Sequence, residues 1–173
     1  MTTTFWLTGL SASGKSTLAT GLADVLNRNG HPVKIIDGDE LRQGLCSDLG
    51  YSREDRRENI RRAAEVCRLL NSTGVIAIAA LISPYREDRE TARRIIGEHA
   101  FLEVWLAASL AACEARDPKG LYRRARSGEL IEFTGISDPY EEPEAPHLRL
   151  ETHRLDIPTC IMMTYQLLMP RPQ

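Results

Sequence analysis

Long apolar runs, closely spaced cysteines and lysine are all scarce in this 173-residue sequence. The longest uninterrupted apolar stretch, 75–82, is eight residues, far below the roughly 20 that a membrane span needs, so no transmembrane helix and no membrane partner are expected. The opening Met-Thr-Thr-Thr-Phe-Trp-Leu has neither the basic nor the long apolar region of a signal peptide, and a cytoplasmic location is expected. Cys46, Cys67, Cys113 and Cys160 share no close spacing, which argues against a disulfide framework or a zinc site and for free, mostly buried thiols. A formal charge of −2 leaves no global basic footprint for nucleic acid. With 42% hydrophobic and 27% charged residues the composition is that of an ordinary globular protein, not a disordered one. The length suits a single domain, 1–173. Lys15, Lys34 and Lys119 are the only lysines among the 22 basic residues, so a lysine in a special position stands out against the arginine background.

Strand and helix periodicities alternate along the chain. Thr3 to Thr8 reads as a buried strand closing at Gly9, and Leu18, Leu22, Val25 and Leu26 recur at helical spacing up to the Asn29-Gly30 stop. Val33 to Ile36 reads as a second strand before Asp37-Gly38-Asp39. Ser52 followed by Asp55 resembles a capping box opening a helix with Ile60, Ala63, Ala64, Cys67 and Leu70 on its apolar face. Val75 to Ile82 is a third strand, Glu87 to Gly97 a helix and Phe101 to Leu106 a fourth strand. Between Arg116 and Arg126 the pattern turns basic around Gly120, a composition suited to a mobile flap. A short strand at Leu148 to Glu151 and an apolar helix from Pro158 to Met169 complete the pattern. Such alternation predicts an α/β fold, a mostly parallel sheet with helices on both faces.

Gly9-Leu-Ser-Ala-Ser-Gly14-Lys15-Ser16 matches G-x-x-x-x-G-K-[ST], and it lies between a predicted strand and a predicted helix. A chance match in a chain of this composition is on the order of one in a thousand. Backbone N–H groups of such a loop and the helix N-terminus present fixed positive potential to a polyphosphate. Lys15 would hold the β and γ oxygens as charge migrates, and the Ser16 hydroxyl would ligate Mg²⁺. No guanine-selecting Asn-Lys-x-Asp is present, and the third strand ends in Ser83 where a motor-like ATPase would carry an acid. The nearby acids are Asp37 and Asp39 at the end of the second strand. By themselves they read as a turn or cap; outside the carboxyl end of a parallel strand they suit accepting a hydroxyl proton or fixing a metal-bound water. The pattern points to a small-molecule kinase.

A longer string of motifs carries a resemblance. Gly9-Leu-Ser-Ala-Ser-Gly-Lys-Ser-Thr17, Asp37-Gly-Asp-Glu-Leu-Arg42, Asp48-Leu-Gly-Tyr-Ser52, Asp55-Arg-Arg-Glu-Asn-Ile-Arg-Arg62, Ile82-Ser-Pro-Tyr-Arg86, Arg116-Asp-Pro-Lys-Gly-Leu-Tyr122 and Phe133-Thr-Gly-Ile136 together resemble adenylylsulfate kinases, in order and spacing, from about Thr4 to Thr152. The resemblance implies a P-loop NTPase fold and transfer of the γ-phosphoryl of MgATP to the 3′-hydroxyl of adenosine 5′-phosphosulfate. Gly9, Ser11, Ala12, Ser13, Gly14, Lys15, Ser16 and Thr17 would hold ATP, with Arg116 against its base and Ser16 and Asp37 toward the metal. On the acceptor, Arg42, Arg56 and Asn59 would supply fork donors and an amide to the phosphosulfate. Tyr51 and Phe133 would stack on the adenine, and Asp39, Ile82 and Ser83 would meet the remainder. Residues 116–135 correspond to the family lid, whose Lys119 would reach the acceptor and whose closure would exclude water.

Ser83 has no neighbouring His or Lys in its motif to activate it as a nucleophile, so direct in-line transfer with Ser83 as a contact is expected. Ala12 stands where the family usually has glycine, at a torsion alanine is expected to tolerate. Ala107 and Ser109 replace the usual Asp and Pro after the fourth strand, an expected change in loop support. A homodimer, or association or fusion with an ATP sulfurylase, is left open. Two other readings stand beside the active kinase: a non-catalytic phosphosulfate-sensing module and a P-loop kinase for another small molecule.

Overall fold

In a computed structural model that describes residues 2–169, five strands form one all-parallel sheet in the order β2-β3-β1-β4-β5. The strands are β1 (Thr4–Thr8), β2 (Val33–Asp37), β3 (Ile76–Ala80), β4 (Phe101–Leu106) and β5 (Leu148–Leu150). The helices are α1 (Lys15–Arg28), α2 (Gly38–Gln43), α3 (Arg53–Ser72), α4 (Arg86–Ile96), α5 (Leu110–Arg116), α6 (Leu121–Arg126) and α7 (Ile157–Tyr165). No helix among the described residues is long and apolar enough to cross a membrane.

Both faces of the sheet are buried, which is why its central strands are mostly apolar, with Glu103 on β4 the buried charged exception that takes an ion-pair partner. On β1, Phe5 and Leu7 point into a core shared with Leu18, Leu22 and Leu26 of α1. Trp6 points the other way, into a second core with Ile60, Ala63, Ala64 and Cys67 of α3 and Ala92 of α4. β3 divides alike: Ile76, Ile78 and Ala80 face α1, whereas Ala77 and Ala79 face α3. Alanines on both sides of that second contact let helix and sheet approach closely.

Helix ends are set locally. Ser52 Oγ accepts from Asp55 N at 3.2 Å and caps α3, while the Asp55 carboxylate accepts from the Ser52 hydroxyl at 3.0 Å rather than from its backbone N–H, so the N-cap forms without the reciprocal half of a capping box. Ser109 caps α5 through Ala112 N in the same way. Asp37 caps α2, its side chain accepting from Asp39 N at 2.9 Å. α2 and α5 are absent from the sequence reading; each spans fewer than two full turns, too short for helical periodicity to register. The basic segment contains the short helix α6, with Tyr122 and Ala125 buried three residues apart. All four cysteines are free and buried.

Candidate active site

Strand order reverses around β1, and ligands of such sheets bind at the carboxyl ends of the strands where this happens. The loop from β1 to α1 lies there. A side chain at Gly9 would meet the Leu106 carbonyl at 2.8 Å and Ser13 Oγ at 2.9 Å, so only glycine lets the loop pass this close to β4. Gly14 at φ +101 turns the chain into α1 with no side-chain cap on the helix, which leaves the first N–H groups of α1 to a ligand. Ala12 sits at φ +59, in the left-handed region. An L-residue pays about 1–2 kcal/mol for that conformation, so the torsion is occupied at a cost rather than freely.

Carbonyls of this loop are held from several directions. Tyr122 Oη donates to Ser11 O at 2.9 Å, Thr152 Oγ1 to Ser13 O at 2.8 Å, and Arg116 to both Ala12 O (3.3 Å) and Thr152 O (2.6 Å). With these carbonyls turned back into the protein, the amides from Ala12 and from Gly14 to Ser16 are left for an anion, while Ser13 N donates to Leu10 O at 3.2 Å within the loop. Lys15 Nζ donates to Gly9 O at 2.9 Å and Leu10 O at 2.7 Å. Desolvation lowers its pKa from the ordinary lysine range to about 8, against the opposing pull of nearby acidic groups, Asp37 and Asp39 among them. Arriving phosphate charge would favour the ammonium again.

Ser16 Oγ donates to Asp37 Oδ2 at 3.1 Å. A hydroxyl and a carboxylate side by side are hard oxygen donors of the kind Mg²⁺ takes; no group of three or more His, Cys, Asp or Glu side chains suited to a metal occurs among the described residues. Asp37 is thus cap and candidate metal partner together. Asp39 points instead toward the 116–120 turn, where its carboxylate pairs with the Lys119 ammonium. That contact raises the Lys119 pKa, chiefly through the hydrogen bond to Asp39.

The loop opens into a cleft of about 810 Å³ that also reaches Arg42, Tyr51, Arg56, Asn59, Ile82, Ser83 and Phe133. Every site residue expected from the sequence except Gly9 lines it. Arg56 and Asn59, one turn apart at the start of α3, extend its buried stripe into the cleft. Arg56 is committed largely to the protein: Nε donates to Tyr51 O at 2.8 Å, Nη1 to Thr134 Oγ1 at 3.0 Å, and Nη2 to Glu132 O and, at 3.2 Å, to Asp138. Four of the five guanidinium N–H groups are thereby used, and the residue ties the Tyr51 loop to the Phe133 segment. Asn59 is 5% exposed, and its Nδ2 has no partner among the described residues. Arg42 donates to the carbonyls of Leu49 and Gly50 and lies over the Tyr51 ring, 4.3 Å from its centre. Phe133 meets Tyr122 edge-on with ring centres 5.1 Å apart. Ser83 is buried, with Oγ accepting from Trp6 Nε1 at 3.1 Å.

Sequence reasoning assigned no role to Tyr122, Thr134 or Thr152. Tyr122 and Thr134 stand inside motifs already singled out, whereas Thr152, 139 residues from the carbonyl it braces, carries no local signal.

A family model described as adenylylsulphate kinase matches residues 1–151. An adenylyl-sulfate kinase of Prochlorococcus marinus is 54% identical over 156 residues, covering 90% of this chain and 78% of the relative. One of Geotalea daltonii is 57% identical over 147 residues, 85% of this chain and 72% of the relative. The solved structure of the Mycobacterium tuberculosis APS kinase in complex with AMPPNP and APS superposes with a TM-score of 0.94 at 43% identity, covering 96% of this chain and 97% of that one. A sugar kinase from Janibacter, 19% identical at a TM-score of 0.69, shares the fold alone. A phosphate loop at the switch point, an acid pair beside it, and matches along nearly the whole chain leave one assignment: this protein belongs to the adenylylsulfate kinase family.

Proposed function

We propose that the chain transfers the γ-phosphoryl group of ATP to the 3′-hydroxyl of adenosine 5′-phosphosulfate, giving 3′-phosphoadenosine 5′-phosphosulfate and ADP. The observation that carries the reading is one continuous cleft with a phosphate loop at one end and an arginine, amide and aromatic wall at the other. A nucleoside triphosphate and a second adenylate fit such a cleft end to end, with the acid pair between them.

On the donor side the loop amides and Lys15 bind the phosphates, while Arg116 and Leu155 border the base. Ser16 and Asp37 would hold Mg²⁺, which would supply neutralisation of the charge on the transferring phosphoryl group. On the acceptor side the unpartnered Asn59 amide and the remaining Arg56 N–H face the phosphosulfate, and Tyr51 and Phe133 border the adenine. Asp39 is the acid placed to accept the 3′-hydroxyl proton. Lys119, which pairs with Asp39, then exchanges that contact for the acceptor's anionic groups as the lid settles. In this reading Arg56 shapes the acceptor wall more than it binds through a full fork, because its other donors already serve the protein.

An ADP-release assay with adenylylsulfate, adenosine monophosphate and a sugar acid as competing acceptors tests the assignment. Turnover confined to adenylylsulfate, with the 3′-phosphorylated product identified by mass, is expected. Turnover of the sugar acid instead, or of no acceptor at all, refutes it.

A further inference from the structure

The backbone at Ser83 is unusual for its sequence. Its φ is +41, in the left-handed region, although it precedes Pro84, a position that ordinarily drives a residue to extended backbone. A non-glycine residue keeps such a conformation only where its surroundings over-determine it, and such places cluster at binding sites. The surroundings here are specific. Thr8 Oγ1 donates to Ile82 O at 2.7 Å and Trp6 Nε1 to Ser83 Oγ at 3.1 Å. Arg89 Nη1 donates to Ser83 O at 2.7 Å. The same guanidinium donates from Nη2 to Glu141 O at 2.7 Å and from Nε to Glu103 at 2.9 Å.

Arg89 is 3% exposed and Glu103 5%, a buried ion pair between α4 and β4 that lies outside the cleft lining. Burying two charges is unfavourable unless their geometry is good and their remaining hydrogen-bonding capacity is used. Here three donors of one rigid fork each meet a different element: the strand-end turn, the β4 carboxylate and the crossing chain at Glu141. The strained turn at the other end of the fork lines the cleft with Ile82, Ser83 and Pro84.

We propose that Arg89, oriented by Glu103, is a positioning residue for the acceptor: by gripping the Ser83 carbonyl it holds the left-handed turn whose backbone forms that side of the acceptor pocket. This rests on the reading of the cleft given above and assigns Ser83 a shape-keeping part, its hydroxyl accepting from Trp6 Nε1 at 3.1 Å and donating to Leu81 O at 3.4 Å.

Arg89→Lys tests it, because lysine keeps a positive charge beside Glu103 but cannot span three acceptors with a fixed fork. The Trp6 indole N–H reports directly on the turn, and with just two tryptophans in the chain its signal is readily separated from that of Trp105. Expected are exchange of the Trp6 indole proton with solvent accelerated about tenfold, Trp105 unchanged, a KM for adenylylsulfate raised about tenfold and a KM for ATP within about twofold. Unaltered Trp6 exchange, an unaltered acceptor KM, or equal rises in both Michaelis constants each overturn the proposal. If Arg89→Lys does not fold, the paired change Arg89→Gln with Glu103→Gln, which removes both charges together, takes the same readouts. Should the unsubstituted protein fail to phosphorylate adenylylsulfate, the functional reading falls, and the Trp6 measurement decides the grip of Arg89 on the turn by itself.

Discussion

Asn59 offers a test in which stability and affinity move in opposite directions. Its Nδ2 is buried, lines the cleft and lacks a partner among the described residues. An unsatisfied buried donor costs about 1–3 kcal/mol in desolvation, and a hydrogen bond to a charged group contributes about 1.5–3 kcal/mol. Replacing the amide with the near-isosteric leucine removes both. Without ligand, Asn59→Leu should be more stable by about 1 kcal/mol or more, and each kcal/mol is worth roughly 2–4 °C in Tm for a chain of this size. With ligand, loss of the charge-assisted bond should weaken adenylylsulfate binding about 10- to 150-fold. Scanning calorimetry of the ligand-free proteins gives the first quantity, and calorimetric titration with adenylylsulfate in the presence of a nonhydrolysable ATP analogue gives the second. A variant that melts lower than the parent, or that binds the acceptor equally well, refutes the view that this amide is kept unpaired for the ligand.

Lys15 should make ATP binding proton-linked. Free, its pKa is near 8 because of desolvation; bound, phosphate charge favours the ammonium, so binding at pH 8.5 takes up protons. Titrations in two buffers of different ionisation enthalpy should show this uptake, and Lys15→Met should abolish both the uptake and turnover while remaining folded; uptake retained in Lys15→Met would locate the proton elsewhere. Lys119→Met breaks an exposed pair worth at most about 1 kcal/mol, so Tm should shift by no more than about 4 °C, while, if the 116–135 segment closes over the site as proposed, the ratio of free phosphate to phosphorylated acceptor should rise; an unchanged ratio counts against that water-excluding role. Ala12→Gly relieves left-handed strain of about 1–2 kcal/mol, partly offset by about 0.5–1 kcal/mol of glycine entropy, and a net rise of a few degrees in Tm is expected by thermal melting; a fall would mean the loop conformation is not strained at that residue.

How much of this was legible beforehand differs by element. Strands β1 and β3, helices α1 and α3 and the phosphate loop announce themselves because each is governed by local rules: a short apolar run buried on both faces, a 3.6-residue stripe, a Ser cap, glycines at obligatory torsions. The boundaries moved by a residue or two, as at β3, where Val75 and the residues after Ala80 lie outside the strand. Helix α6 within the basic 116–126 stretch was not legible because its buried positions are just Tyr122 and Ala125, too few to set a hydrophobic period.

The amino-acid sequence by itself determined the layered α/β fold, the anion-binding loop and the identity of the residues around it, since those depend on near neighbours in the chain and on motif spacing. Tertiary structure decided their division of labour. It committed most of Arg56 to protein acceptors, left Asn59 unpaired, set Asp37 beside Ser16 but Asp39 beside Lys119, and bent Ser83 into a torsion its own neighbour Pro84 opposes. Each of these outcomes turns on hydrogen-bond partners from distant parts of the chain, such as Thr134 for Arg56 and Trp6 for Ser83, and no local pattern encodes which distant group will satisfy a given donor.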